Sequence, residues 1–274
     1  MRLDQFVAEK HPSLSRSYVA KLIDAGNVLV NNEQKKPGYR LREHDDVAIN
    51  FDVNELQQIE DIELPIIYED DNVLVVNKPA GVISHSRGKY WYEPSVASFV
   101  RQKTGQDGER AGIVHRLDRA TSGVMVCAKN QETLSMLQKQ FSQRAVKKAY
   151  RAVVGGHLKH PQAVIDMPIE RNPKAPATFR VGANGKSAQT AYTVVRSSET
   201  HDEVELTPAT GRTHQLRVHL AYQSHPIVGD TLYDGEPAER LYLHAHSLTI
   251  SIPNFGEKTF TAPIPDAFTE IMEQ

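Results

Sequence analysis

Apolar residues recur at helical spacing near the start of the chain and at strand spacing further on. In residues 1–51 they predict two helices, the second capped by Ser15 and ended by Gly26, and then short strands. Residues 67–77 predict strand structure with an acidic turn, and residues 131–143 predict a helix. Because helices and strands do not alternate regularly, the pattern indicates an α+β fold.

A change in composition divides the chain at residues 52–65. This segment carries five acidic residues and no basic one, and Pro65 closes it before apolar alternation resumes. We therefore interpret residues 52–65 as an acidic linker between a small unit, residues 1–51, and a larger one, residues 66–274.

The overall composition narrows the class of function. The chain has 274 residues and a net charge of −2, so a nucleic-acid site would have to be a local feature of the surface. Cys127 is the single cysteine, which excludes a disulfide framework and favours a reducing compartment. The sequence has neither a signal-peptide pattern nor an apolar run of membrane-spanning length. We therefore expect a cytoplasmic protein without a membrane partner.

The sequence HRLDRATSG at residues 115–123 places Asp118 in a tight turn between apolar segments. The apolar run at residues 124–128 predicts a buried strand after it, and the residues TSG suit a fixed bend. A carboxylate held at the mouth of a rigid strand is positioned for reaction. A turn aspartate that only caps local amides is the alternative.

The first 51 residues resemble the αL RNA-binding module first recognised in a small-subunit ribosomal protein. The matching segments are RLDQF, LSRSYVAKLIDAGNVLVNN and KKPGYRLREHDDVAI. Where the family has a glycine before the last strand, this chain has His44 or Asp45. The resemblance implies RNA binding, with Arg16 and Lys21 of the second helix as contacts. A solvated helix face is the other interpretation of these two charges.

Four segments of residues 66–274 together resemble the pseudouridine synthases that carry an HRLD signature. They are NKPAGVISH, HRLDRATSG, KKAYRAVV and GRTHQLRVHL, in the order of the family. The resemblance implies isomerisation of a uridine within RNA, in which the base is detached from its ribose, turned and rejoined through carbon 5. It also implies a catalytic domain with a mixed, mostly antiparallel sheet and flanking helices, beside a small α/β RNA-binding domain.

The resemblance assigns catalytic roles to three residues. Asp118 aligns with the essential aspartate, which has three possible routes: attack on the sugar, addition to the base or removal of a sugar proton. Tyr150 aligns with the tyrosine that stacks on the target base, and Arg212 with the basic residue that pairs with the aspartate. An arginine suits that pairing because it stays charged and binds a carboxylate through two hydrogen bonds. Taken alone, Tyr150 would be a core aromatic residue and Arg212 a surface arginine.

Arg116 of the HRLD signature has a separate implied role. A stacked uridine must be extruded before an enzyme can act on it, and a side chain should fill the gap. In the family this arginine does so by planar stacking; a structural salt bridge is the alternative. We also expect His115 and Thr121, on either side of Asp118, to contact the substrate.

We expect neither a metal nor a nucleotide cofactor. On a helix His214 and His219 would point about 140° apart, and no cysteine or carboxylate cluster accompanies His244 and His246. The chain contains no GxGxxG or phosphate-loop sequence.

The resulting hypothesis is a two-domain RNA pseudouridine synthase that acts on ribosomal RNA, with transfer RNA as the alternative substrate. Two other classes compete with it. One is a non-catalytic RNA-binding protein of ribosome assembly, and the other is a hydrolase with Asp118 as general base, which would need a second placed carboxylate. Loops at residues 87–93 and 171–180 carry aromatic and basic residues, and we expect them to set specificity.

Overall fold

The computed structural model describes residues 1–52, 61–85, 93–106 and 110–274. Most of the segment interpreted as a linker lies outside these ranges, and so does the expected specificity loop at residues 87–93 except for its last residue. At the described end of the linker segment, Leu64 is buried in the core beneath the large sheet. Residues 61–65 therefore pack with the larger part of the chain.

The first 51 residues form two helices packed against a small sheet. The elements are α1 (Leu3–Lys10), α2 (Arg16–Asp24), β1 (Val28–Val30), β2 (Glu33–Gln34) and β3 (Val47–Ile49). The strands pair in the order β2-β1-β3. The Ser15 hydroxyl accepts a hydrogen bond from Tyr18 N–H at 3.3 Å and caps α2, as the sequence predicts.

A large sheet organises the rest of the described chain. Its strands and the neighbouring hairpin are β4 (Ile66–Glu69), β5 (Val73–Lys78), β6 (Ser122–Ala128), β7 (Lys147–Gly155), β8 (Gln162–Asp166), β9 (Ile169–Arg171), β10 (Phe179–Val181), β11 (Gln189–Ser197), β12 (His201–Pro208), β13 (Leu243–Ile252) and β14 (Gly256–Thr261). The order is β4-β5-β6-β13-β7-β12-β11-β8, with β14 paired to β13 and with β9 and β10 forming the hairpin.

Four helices flank this sheet in the described ranges. They are α3 (Val96–Thr104), α4 (Gln131–Ser142), α5 (Gln215–Tyr222) and α6 (Ala267–Met272), with a 3₁₀ turn at Thr231–Tyr233. Helix α4 fills the range predicted from apolar spacing. The expected α+β class, with a mostly antiparallel sheet, is confirmed. None of the helices in the described ranges has the length and hydropathy to cross a bilayer.

Two hydrophobic clusters meet at β7. One joins α3, β5 and β6 through residues such as Phe99, Leu74 and Met125. The other lies under β12, α5 and α6, where Leu206 and Phe268 are buried. Strand β7 thus presents side chains at the boundary between two packed regions.

The start of β6 is held against β13 by a close backbone contact. Ser122 and Gly123 pair in parallel with His244 and Ala245, and this is the one parallel pairing among the described strands. Gly123 has a φ of 120°, and a Cβ there would lie 2.2 Å from the carbonyl oxygen of Ala245. Because only glycine fits here, the close contact with β13 fixes the start of β6 and therefore the end of the turn that precedes it.

Gly123→Ala is expected to lower the free energy of unfolding by about 3 kcal/mol or more, because the added methyl group collides with a paired backbone. Chemical denaturation measures this loss. Gly81→Ala is the matched control, since Gly81 has a φ of 90° but nothing lies within 4 Å of its added Cβ. The control should cost about 1–2 kcal/mol. Equal losses in the two variants would contradict the close contact.

Candidate active site

One cleft of about 490 Å³ brings the distant sequence segments together, and its volume is typical of small-molecule sites. The turn at residues 115–121, strand β7, and the loop between β12 and α5 form its walls. The predicted residues that line it are His115, Arg116, Asp118, Thr121, Tyr150 and Arg212. Arg16 and Lys21, the two expected contacts on α2, lie outside this cleft.

Hydrogen bonds fix the turn that carries Asp118. Thr121 N–H donates to the Asp118 carbonyl at 3.1 Å. The Ser84 hydroxyl donates to the Leu117 carbonyl at 2.8 Å and accepts from Leu117 N–H at 2.9 Å. Leu117 and Thr121 are buried, whereas the Asp118 side chain keeps 23% of its surface exposed. The carboxylate therefore faces the cleft from a rigid support.

The arginine next to Asp118 is Arg217. Its Nη1 lies 3.6 Å from Oδ2 of Asp118, and its Nε and Nη2 each donate to the carboxylate of Asp230 at 2.7 Å. The Arg217 side chain is 10% exposed and that of Asp230 is 1% exposed. A cation removed from water to this extent requires its carboxylate partners. Arg217 thus links Asp118 to a buried anion in the fold.

This arrangement corrects the prediction that Arg212 pairs with Asp118. Arg212 lines the cleft, but its Nε donates to the Ser187 carbonyl at 3.0 Å. It lies in the loop before α5, whereas Arg217 is in the first turn of α5 and is directed at Asp118. A sequence signal was available, because an arginine within the apolar run of α5 is expected to be buried and paired.

His214 lies beside the same carboxylate, with its Nε2 at 3.7 Å from Oδ2 of Asp118. Phe179 N–H donates to the Tyr233 oxygen at 3.0 Å, and Nδ1 of His214 shares a hydrogen bond of 2.7 Å with the same hydroxyl. This contact orients the imidazole ring with Nε2 toward Asp118. Burial lowers the pKa of His214, although Asp118 acts in the opposite direction. Sequence reasoning considered His214 only as a metal ligand and missed this contact.

Tyr150 forms another wall of the cleft, from the middle of β7. Its ring packs against both hydrophobic clusters. Burial raises the pKa of its phenol, and the nearby charge of Asp118 raises it further. The side chain thus stays protonated at neutral pH and offers an aromatic surface that a nucleobase can stack on.

His115 supports the wall of the cleft. Its ring stacks on Phe141 with centroids 4.7 Å apart, and its Nε2 accepts a hydrogen bond from Val126 N–H at 3.1 Å. Burial, with a smaller contribution from Lys148, lowers the pKa of His115 to about 3. The neutral ring therefore ties the start of the turn to β6 and α4.

Lys78 anchors the turn from behind, a role that sequence reasoning missed. Its side chain is fully buried, and its Nζ donates to the carbonyls of Pro79 at 2.9 Å, Val82 at 2.7 Å and Arg119 at 3.2 Å. Burial lowers the pKa of Lys78 to about 7. Its segment NKPAGVISH begins at the end of β5 and contacts the turn through the hydrogen bonds of Lys78 and Ser84.

A second cleft, of about 320 Å³, lies between α2 and the Asp118 turn. Helix α2 contributes Ser17 and Lys21, and Arg116 lines this cleft as well as the first one. Arg16 lies elsewhere on the helix, where its Nη2 donates to Asp4 at 3.1 Å and about half of its side chain is exposed. The two expected contacts on α2 therefore have different surroundings.

The histidines that sequence analysis considered have other partners. His219 is buried against the Thr190 hydroxyl at 2.9 Å, and Nδ1 of His244 lies 2.9 Å from the Ser122 hydroxyl. Over the described ranges, no group of three or more His, Cys, Asp or Glu residues is arranged to hold a metal ion.

The sequence matches two known families. The profile of the RNA pseudouridylate synthases covers residues 72–222, more than half of the chain, and that of the S4 domain covers residues 1–47. The chain belongs to the RNA pseudouridine synthase family. The small domain at its start is an S4 domain, in agreement with the RNA-binding resemblance of that segment.

Several relatives that are named as pseudouridine synthases align with most of this chain. The chain is 40% identical over 241 aligned positions to an uncharacterized RNA pseudouridine synthase of Aquifex aeolicus, and the alignment covers 85% of this chain and 76% of the relative. It is 35% identical over 302 aligned positions to the ribosomal large subunit pseudouridine synthase D of Escherichia coli strain K12, covering 99% and 90%. The solved structure of human RNA pseudouridylate synthase domain containing 4 has a TM-score of 0.62 and 27% identity, covering 76% of this chain and 92% of that chain.

Arg217→Gln is expected to lower the kcat of the synthase by at least about 100-fold, because it removes the cation beside Asp118. Arg212→Gln should keep kcat within about threefold of the wild type, since Arg212 does not contact Asp118. Single-turnover assays measure both rates. Arg217→Lys keeps a positive charge beside Asp230 and serves as the folding control. This variant should retain the native circular dichroism spectrum. A larger loss of kcat in Arg212→Gln than in Arg217→Gln would instead support the pairing of Arg212 with Asp118.

Proposed function

We propose that this synthase converts a uridine of large-subunit ribosomal RNA to pseudouridine, with Asp118 acting at the glycosidic centre. The observation that carries the proposal is the position of Asp118. Its carboxylate faces a cleft of nucleoside size, between Arg217 at 3.6 Å and His214 at 3.7 Å. Tyr150 lines the same cleft.

In this proposal Arg217 and neutral His214 orient the Asp118 carboxylate while the bond between uracil N1 and ribose C1′ breaks. The base turns, the bond from C5 to C1′ forms, C5 loses its proton and N1 gains one. Reactant and product are therefore isomers, and the reaction needs no cofactor. The phenol of Tyr150, held in its protonated form by burial, would stack on the uracil ring and confine it while it is detached.

Arg116 is the side chain that we assign to the gap left by the extruded uridine. It is exposed, and it lies where the catalytic cleft meets the second cleft beside α2. A planar guanidinium at this junction can stack on the bases that flank the vacated position. Thr121 and His115 would then shape the wall behind the ribose rather than exchange protons, because both support the turn.

The RNA substrate is inferred from the S4 domain and from the relatives. Lys21 faces the second cleft and Arg16 lies on the exposed part of α2, so both can contact phosphates of a structured RNA outside the catalytic cleft. A relative 35% identical to this chain is named as a ribosomal large subunit enzyme. We also propose a cytoplasmic location, which a ribosomal RNA substrate supports.

The loop at residues 171–180 is the part of the expected specificity surface that the structure describes. It leads into β10, where the ring of Phe179 lies 5.7 Å from that of His214. Arg171 stacks over Phe179 at 5.3 Å and donates to the Pro176 carbonyl at 2.6 Å. We propose that this ordered loop contacts RNA next to the target uridine, since it adjoins the catalytic cleft.

Asp118→Asn is expected to reduce pseudouridine formation by at least about 1,000-fold, because the amide carries no negative charge. RNA binding should stay within about threefold, because the substitution preserves shape. Total RNA from cells that lack the gene, complemented with wild type or variant, is mapped for pseudouridine by chemical labelling. Wild type should restore a modification in large-subunit ribosomal RNA.

Asp71→Asn is the matched control, since Asp71 is an exposed carboxylate in the turn between β4 and β5. It should restore the same modification as wild type. If the restored pseudouridines lie only in transfer RNA, the proposed ribosomal RNA substrate is wrong but the synthase activity is supported. Full activity of Asp118→Asn would refute the catalytic assignment itself.

A further inference from the structure

The catalytic cleft holds many more positive than negative side chains. Asp118 is the single carboxylate among its lining residues, whereas the lining cations are Arg116, Arg144, Lys148, Arg212 and Arg217. The chain as a whole carries a net charge of −2. The excess of positive charge is therefore a property of this cleft.

Several cations of the cleft form no ion pair with the described residues. Within the described ranges, Arg217 is the lining cation that forms a salt bridge, and Arg144, Lys148 and Arg212 form none. Lys147, the residue before Lys148 in the sequence, lies outside the cleft and forms a salt bridge of 3.3 Å with Glu257. Arginines of the surface and of the sheet are paired in the same way, including Arg119, Arg151, Arg180 and Arg196.

Lys148 is half-buried, whereas Arg144 is exposed. It precedes Tyr150 by two residues on β7, so both side chains project from the same face of the strand. Its Nζ reaches the loop before α5, where it lies 3.9 Å from the position of a Cβ built on Gly211. Burial lowers the pKa of Lys148, because the ammonium loses water without gaining a carboxylate.

Arg212 and Arg144 also line the cleft. Arg212 follows Gly211 directly, and its Nε is fixed by the Ser187 carbonyl at 3.0 Å, which leaves its terminal nitrogens directed elsewhere. Arg144 ends α4 with a φ of 59° and is exposed. Lys148, Arg144 and Arg212 all line the cleft, and we call these three cations the cationic rim.

We propose that the cationic rim, formed by Lys148, Arg144 and Arg212, binds one backbone phosphate of the RNA strand adjacent to the flipped uridine. Lys148 is its central ligand. The proposal rests on the proposed function, because it assumes an RNA strand whose uridine occupies the cleft. It gives a role in substrate binding to Arg212, which does not pair with Asp118.

A phosphate fits the cationic rim better than an edge of the uracil ring does. Three cations around a neutral base would stay uncompensated in the bound state, whereas a phosphate carries a full negative charge and several acceptor oxygens.

The first test compares Lys148→Gln with Lys147→Gln. Both variants lose one lysine charge from the same strand, but Lys147 is exposed and bonded to Glu257. For Lys148→Gln we expect a KM about 10-fold higher and a kcat within about threefold, because a binding contact is lost. The slope of log(kcat/KM) against log salt concentration should become shallower by about 0.7–0.9. Lys147→Gln should change none of these, and Lys148→Arg should restore most of the KM.

The second test replaces each phosphate around the target uridine in turn by a neutral methylphosphonate. Binding is measured with Asp118→Asn in all proteins, so the readout does not depend on turnover. Methylphosphonate at one position should weaken RNA binding about 10-fold when Lys148 is present. The same methylphosphonate should not weaken binding further when the protein carries Lys148→Gln. The proposal is overturned if every replacement costs both proteins equally, or if Lys148→Gln lowers kcat and leaves KM and the salt slope unchanged. Failure of the proposed function shows separately, as absence of pseudouridine with the wild-type enzyme.

Discussion

The proposed catalytic centre around Asp118 depends on one buried cation, the guanidinium of Arg217. It donates two hydrogen bonds of 2.7 Å to Asp230 and directs its third nitrogen toward Asp118 at 3.6 Å. Since neither side chain of the buried pair can lose its partner without leaving an unpaired charge, the position of α5 relative to Asp230 is fixed. Tyr233 lies against this guanidinium at 5.0 Å and is also hydrogen-bonded to Nδ1 of His214. The charge and the hydrogen-bond donors around Asp118 are thus arranged before any substrate arrives.

The backbone that carries Asp118 is held in place by contacts on the side opposite the cleft, in addition to the contacts that its side chain makes within the cleft. Gly123 meets β13 at a distance that excludes a side chain, and the Lys78 ammonium binds three carbonyls of the adjoining segments. Ser84 holds both polar backbone groups of Leu117. The cleft therefore combines a fixed floor with a rim of unpaired cations. This division suits an enzyme that binds a polyanion and reacts with one of its bases.

Much of this architecture could be predicted from the sequence. The periodicity predicted both helices of the S4 domain, the helix α4 and the strand β6, and the HRLDRATSG segment predicted an aspartate in a turn before that strand. Tyr150 could be found only through the family resemblance, because its flanking residues also suit a core strand. These predictions depend on local patterns or on contiguous motifs, which the chain carries explicitly.

The partner of Asp118 could not be read in the same way. The segment GRTHQLRVHL offers two arginines, and the choice depends on where α5 begins and on a buried aspartate 13 residues further along the chain. Lys78 was missed for a similar reason, since its partners are backbone carbonyls that have no sequence signature. The apolar surroundings of Arg217 in the sequence indicate that it is buried, but long-range pairing of single charges has no periodicity, so only the folded chain shows which carboxylates it contacts.

The most direct test of this account is a crystal structure of the Asp118→Asn variant with its unmodified RNA bound. We expect the target uridine outside its stack, with ribose C1′ about 3–3.5 Å from the side chain at position 118. Its base should lie on Tyr150, and Arg217 should remain bonded to Asp230. A uridine that stays stacked in the RNA, or that occupies the cleft beside α2 instead, would contradict the account.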